Sequence, residues 1–380
     1  MRITKTIMLK KQYAALILLS VTLFACQKKA ETIQPDEIPP EQKPITVRLL
    51  TDANGVGDKS FNASAWLGIL DFYGDTISNP RQRGVVYDWV TAQNQDLFIP
   101  NLRQATDEGY DLIINTGFAW ASPLRIVATD NPQQKYLLVD VGFLQLPNVM
   151  QAVYAEHEGS YLVGVAAALK AKEDGIVNPR FGFIGGVAGS VITKFEVGYV
   201  QGILSVIPNA QIIDYYVNSF GEPALAKTQA KNWYDSGVYA IFTAAGASGN
   251  GTIAQAKEYR AEGRNVWAIG VDSDMFEEGI YNDAGDSAVL TSMIKRVENS
   301  ALYALNAVSN NTFKGEVVTF DLKADGVGYS AANPALSAAI IEQLEIVKAK
   351  IIGGEIRVVD TLADAVLLPG FSHNLRAIDD

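Results

Sequence analysis

The chain has 380 residues, 48% hydrophobic and 19% charged, with one Cys, two His and a formal charge of −11. A mean hydropathy of only +0.08 with scattered charge excludes a polytopic membrane protein, and the apolar share is too high for a disordered chain. One Cys leaves no internal disulfide and no Cys-based zinc site, and His157 and His373 form no HExxH pair, so neither a metal nor a cofactor is expected. The acidic balance, with a pI near 4.8, gives no general attraction for nucleic acid, whose binding depends on Lys and Arg meeting phosphates.

Residues 1–25 carry Arg2, Lys5, Lys10 and Lys11 with no acid, then an apolar run from Tyr13 to Ala25 that is too short to span a bilayer. This is the layout of a secretory signal peptide. Its end, Leu23-Phe24-Ala25-Cys26, resembles the bacterial lipobox, in which the Cys becomes the lipid-modified first residue. Small Ala25 fits that motif, while Phe24 is bulkier than the usual occupant; the alternative is an ordinary secretory signal that happens to contain a Cys. Loss of the four basic residues leaves 27 basic against 42 acidic ones, a charge of about −15. Residues 26–44 are polar, with Pro35, Pro39, Pro40 and Pro44, and read as a semi-extended tether that a lipid on Cys26 would hold to a membrane.

From Ile45 onward, short β-branched runs alternate with amphipathic stretches. Strands are predicted at 45–50, 85–90, 111–115 and 136–141, and helices at 61–72, 97–108 and 122–130, with Trp66, Leu67 and Leu70 on one face and Ser60 as a helix N-cap. After a junction at 151–159 and an apolar helix at 161–172, the pattern repeats. Strands are predicted at 181–184, 211–217, 240–243 and 266–271, with helices at 191–206, 223–235 and 252–262 between them. A strand at 288–294, a helix at 297–308, a strand at 317–322 and a helix at 334–352 follow. Alternation of this kind demands parallel sheets, because a parallel neighbour needs a crossover. The expected architecture is two doubly wound, Rossmann-like α/β lobes joined by several chain crossings. Lobe 1 takes 45–151 and 297–322, lobe 2 takes 152–296 and 323–365, and 366–380 form a tail. Ligands of open α/β sheets bind outside the carboxyl ends of strands, so the crevice between the lobes is the expected site.

Several segments fall there, each with an ordinary reading beside a functional one. Asp52 to Asn62 follows the first strand; it is a Gly-rich turn with a cap or a ligand loop, and it lacks the spacing of a phosphate-binding loop. Gly246 to Gly251 reads GxxGxG and not the dinucleotide fingerprint, and Ser248 is in no GxSxG elbow. Phe195, after Gly185-Gly186, is a core residue or an aromatic wall. Asp272 and Lys295 end strands, where a charged residue is either solvated or a ligand contact.

Taken together, DKSFN at 58–62, GFIGG followed by KFEVGY at 194–199, FTAAG at 242–246, GVDSD at 270–274 and LTSMIK at 290–295 resemble the basic membrane protein family, whose best understood members are purine nucleoside receptor lipoproteins. The resemblance implies a type I periplasmic-binding-protein fold and a non-catalytic, lipid-anchored extracytoplasmic protein. Such a protein captures nucleosides of adenosine, guanosine or inosine type and hands them to an ABC transporter permease. It also implies base-stacking Phe61 and Phe195, ribose-binding Asp52, Asp272 and Lys295, contacts from Asn62 and the backbone at Gly246, lipidation at Cys26, and a monomer. Two departures stand in crevice loops: Gly57 where many relatives have Asp, and Ala188-Gly189 where they have Asp-Gly. The chemistry suits the implication, since stacking on an aromatic is worth roughly 1–3 kcal/mol per base and an ionised Asp can accept from both hydroxyls of a diol. Alternatives are another small ligand such as a sugar, a surface adhesin on the same fold, and a nucleoside hydrolase using Asp52 or Asp272 as base.

Overall fold

The computed structural model describes residues 43–368. Cys26, His373 and most of the tether and tail lie outside them.

Strands and helices alternate through most of the described chain. β1 (Val47–Thr51), α1 (Phe61–Phe72), β2 (Tyr87–Thr91), α2 (Phe98–Asp107), β3 (Leu112–Thr116), α3 (Ala121–Asp130), β4 (Tyr136–Val139) and β5 (Val149–Tyr154) come first. There follow α4 (Glu156–Glu173), β6 (Arg180–Gly185), α5 (Ser190–Val206), β7 (Gln211–Tyr216), α6 (Pro223–Asp235), β8 (Val238–Ala244), α7 (Gly249–Ala261), β9 (Trp267–Asp272) and β10 (Val289–Lys295). α8 (Val297–Ser309), β11 (Val317–Phe320), β12 (Val327–Tyr329) and α9 (Ala338–Ile352) complete the main elements. The strands form two six-stranded sheets, ordered β11-β5-β4-β3-β1-β2 and β12-β10-β9-β8-β6-β7. Every residue of β1, β3 and β4 is buried, as expected of inner parallel strands covered by helices on both faces.

The chain passes between the sheets after β5, after β10 and after β11. Each sheet with its helices is one lobe, as the alternation of elements implied, and the pair has the type I periplasmic-binding-protein architecture that the resemblance implied.

Four details differ from the sequence expectation. The junction at 151–159 is in fact the end of β5 and the start of α4. Gln151 interrupts the apolar run of β5, yet it is buried and accepts the Leu144 amide at 2.8 Å, so its polarity is satisfied inside the fold. β12 is a three-residue edge strand paired antiparallel to β10, the exception to parallel pairing among the strands named above. On α1, Trp66 and Leu70 are buried but Leu67 is 40% exposed, because it is rotated off the shared i,i+4 face. The last long helix begins at Ala338 and not at Pro334, since the Ser337 side chain caps it by accepting from the Ile340 amide.

α4 is buried on nearly all sides and lies directly against α5. Glycines make this approach possible: a Cβ at Gly198 would lie 2.2 Å from the His157 carbonyl oxygen, and one at Gly202 only 2.1 Å from that of Tyr161. The backbones touch, and α5 is fixed relative to the sheet behind it. His157 thus has a structural place, with burial holding its pKa below the usual histidine value.

Candidate functional site

Lobe 1 supplies its part of the site from the loop between β1 and α1. The Asp58 carboxylate accepts the backbone amides of Ser60 (3.0 Å), Asn62 (2.8 Å) and Ala63 (2.9 Å), so Asp58 caps α1. This corrects the expectation for Ser60, which makes no side-chain cap and instead donates its hydroxyl to Asp272 of the other lobe. A two-oxygen acceptor outcompetes a single hydroxyl for amides grouped at a helix start. The cap sets Phe61, the first residue of α1, half-buried at the cleft. Behind it, Asp52 accepts from the Asn54 amide (3.1 Å), the Asn54 side chain (3.0 Å) and the Asn62 side chain (3.0 Å), while the Thr116 hydroxyl donates to Asn62 at 2.5 Å.

Lobe 2 supplies strand ends. Asp272 closes β9 with φ +66 and Gly246 follows β8 with φ +52; for a residue with a Cβ this left-handed geometry is costly and is found where function demands a direction. Burial pushes the Asp272 carboxyl up to about 7, against the pull of Lys295 and the Ser60 hydroxyl. Phe195, in the second turn of α5, is 3% exposed.

Lys295 ends β10 and is 1% exposed. Its ammonium lies 2.6 Å from Asp140 Oδ1 and 3.0 Å from Glu156 Oε1. Burial works against that charge, but Asp140, Glu156 and Asp272 outweigh it and hold the lysine pKa above its usual value. Burial also pushes the Asp140 carboxyl up, opposed by the same ammonium. The ammonium is 5.1 Å from the Phe61 ring centroid and 5.5 Å from that of Phe195, so aromatic rings from opposite lobes approach a common point.

A cleft of about 770 Å³, part of it continuous with solvent, joins these groups. Asp52, Phe61, Asn62, Phe195, Gly246, Asp272 and Lys295, all singled out from the sequence, line it. Neither Gly57 nor the Ala188-Gly189 pair does, so the two departures fall outside the wall. The lobes meet across the mouth: Lys59 reaches both Glu278 oxygens at 2.7 Å, and the Phe118 and Phe220 rings meet edge to face at 6.3 Å. The two lobes are thus in direct contact beside the cleft.

Sequence reasoning missed Asp140, Glu156, Asp58, Phe118, Trp120 and Phe220. Asp140 had a usable signal, since it directly follows β4 at its carboxyl end, as Asp272 and Lys295 end theirs. Phe118 opens a short 3-10 turn and Phe220 sits in a loop, neither with a periodicity to mark it. The Gly246–Gly251 run has a packing role in part, because a Cβ at Gly251 would lie 1.8 Å from the Pro223 carbonyl oxygen, where α7 crosses the start of α6.

Residues 45–361 match the family described as ABC transporter substrate-binding protein, PnrA-like. The chain belongs to that family. It is 36% identical over 323 residues to the CD4+ T-cell-stimulating antigen of Listeria monocytogenes, covering 83% of this chain and 88% of that one. It is 34% identical over 321 residues to the ABC transporter nucleoside-binding protein BmpA of Lactococcus lactis, covering 83% and 89%. Among solved structures, an ABC transporter solute-binding protein from Aeropyrum pernix superposes with a TM-score of 0.72 at 27% identity, covering 84% of this chain and 94% of that one. The protein is therefore a lipid-anchored, extracytoplasmic solute-binding component of an ABC transporter, with no catalysis of its own. No described helix is long and apolar enough to cross a membrane.

Proposed function

We propose that this solute-binding protein captures a nucleoside of purine type and presents it to an ABC importer. The supporting observation is the convergence of Phe61 and Phe195, from opposite lobes, on a point beside the charged Lys295. A nucleobase between them would have both faces covered only when the lobes close, which couples ligand capture to closure. Asp272 and Lys295, at adjacent strand ends, would take ribose hydroxyls as acceptor and donor. Asp52 and Asn62 are bonded to each other and would act as one unit on sugar or base. The backbone at Gly246 adds a further contact. Membrane attachment would be through a lipid on Cys26, and the body would act as a monomer with lobe bounds at 45–151 with 297–322 and 152–296 with 323–365. The relative from Lactococcus lactis, itself described as nucleoside-binding, supports the ligand class.

A thermal-shift panel of purine nucleosides, pyrimidine nucleosides and free ribose tests the reading, because a bound ligand raises stability by RT ln(1 + [L]/Kd). Purine nucleosides are expected to raise Tm and free ribose to leave it in place. No shift with any nucleoside, or a shift with sugars alone, would overturn it.

A further inference from the structure

We infer that Asp140, with Glu156 behind it, determines specificity by occupying Lys295, so that the cleft accepts uncharged nucleosides and refuses their phosphate esters. This rests on the nucleoside reading above and extends it to residues outside the expected ligand set. Among the described residues, Lys295 is the one basic side chain lining the cleft, against the carboxyl groups of Asp52, Asp58, Asp140 and Asp272. An ammonium has three donors. One of those on Lys295 is given to Asp140 at 2.6 Å, and the head group also forms an ion pair with Glu156 at 3.0 Å.

The charge is committed as well. Two carboxyl groups in contact with one ammonium leave no positive excess to meet a phosphate dianion; Lys295 and Glu156 are buried and the Asp140 side chain is only 8% exposed, so solvent screens little of the repulsion. A ribose hydroxyl needs only one free donor of the ammonium. Lys194, the next cation, does not line the cleft; it stands behind Glu156 at 3.4 Å and donates to the Tyr154 carbonyl at 3.2 Å. The position of Asp140 is a built feature: its φ of +68 is a conformation that residues with a Cβ seldom adopt, and it joins lobe 1 to the end of a lobe 2 strand. The Asp140→Asn change removes one negative charge with little change of shape, and Glu156 still pairs Lys295, so the lysine is not left buried alone.

The test compares inosine, inosine 5′-monophosphate and 5′-O-sulfamoylinosine, an uncharged ester of similar bulk, by calorimetry on the wild-type protein and Asp140→Asn. Wild type should bind the monophosphate about a hundredfold more weakly than inosine and the sulfamoyl ester within about tenfold of inosine, since the barrier is charge. Asp140→Asn should narrow the gap between monophosphate and inosine by about tenfold. The wild-type comparison stands even where the variant does not fold. Equal refusal of both esters would make the barrier steric and overturn the inference, as would tight binding of the monophosphate by wild type or an unchanged gap in a cooperatively folded Asp140→Asn. Failure of inosine itself to bind would defeat the nucleoside reading and the inference with it.

Discussion

The two aromatic walls of the cleft are built by different means. Phe61 opens α1, and its position depends on a loop in which Asp58 gathers three amides. Phe195 lies in the second turn of α5, whose backbone is pressed onto α4 through Gly198 and Gly202. One wall is held by hydrogen bonds at a helix start, the other by the packed core of lobe 2. A loop-held ring can adjust as the lobes close, whereas the core-held ring is a fixed surface to close against. Stability and affinity should therefore separate on the lobe 1 side and move together on the lobe 2 side.

Breaking the rigid wall should have the largest effect. Gly202→Val forces side-chain atoms into the Tyr161 carbonyl and should cost about 3 kcal/mol, lowering Tm by roughly 6–12 °C in a thermal melt. Phe195→Ala should weaken nucleoside binding and also lower ligand-free stability by about 3 kcal/mol, because the ring is core as well as wall. Phe61→Ala should weaken binding by about tenfold or more, the worth of one stacked base face, with ligand-free Tm nearly unchanged. If denaturant titration shows equal losses of stability in the two Phe variants, the contrast between the walls is wrong. Asp58→Ala removes the cap of α1 and should cost about 1 kcal/mol, with a smaller loss of affinity as Phe61 loses its fixed setting.

The smallest effect concerns pH. Burial raises the Asp272 carboxyl to about 7, so in the ligand-free protein it carries a proton below that pH, whereas in the unfolded chain it loses that proton near the ordinary carboxylate value. The unfolded chain thus holds fewer protons in between, and this group's contribution to stability falls as pH rises from about 4 to about 7. Ribose hydroxyls donating to the ionised form bind better once the proton has left. Nucleoside affinity should therefore rise severalfold from pH 5.5 to pH 8, and Asp272→Asn should flatten the profile while weakening binding throughout. A profile that falls with pH in the wild type would remove Asp272 from the acceptor role.

Much of this architecture was legible in the sequence because the parallel sheets are buried on both faces and announce themselves as apolar runs. The bounds of α1 and α6 follow directly from the residues, Phe61–Phe72 and Pro223–Asp235, since a Gly-rich loop and a proline mark their starts. β5 was less visible because Gln151 breaks its apolar run, and only the folded chain supplies the Leu144 amide that makes a buried glutamine tolerable. The site divides similarly. Residues that end strands or open helices, such as Asp272 and Phe61, were found by position. Asp140 and Glu156 were not, although one follows a strand and the other opens a helix, because their importance comes from pairing with Lys295, which is far away in sequence and adjacent only once the lobes are assembled. Ser60 shows the same limit, since its partner is Asp272 across the cleft and not its own helix.

Calorimetric titration of the ligand-free protein with inosine, followed by chromatography of the released ligand, addresses the central claim most directly. The expected result is saturable binding of one nucleoside per chain, recovered intact with its glycosidic bond unbroken. A cooperatively folded protein that takes up no purine nucleoside, or that returns free base, would contradict it.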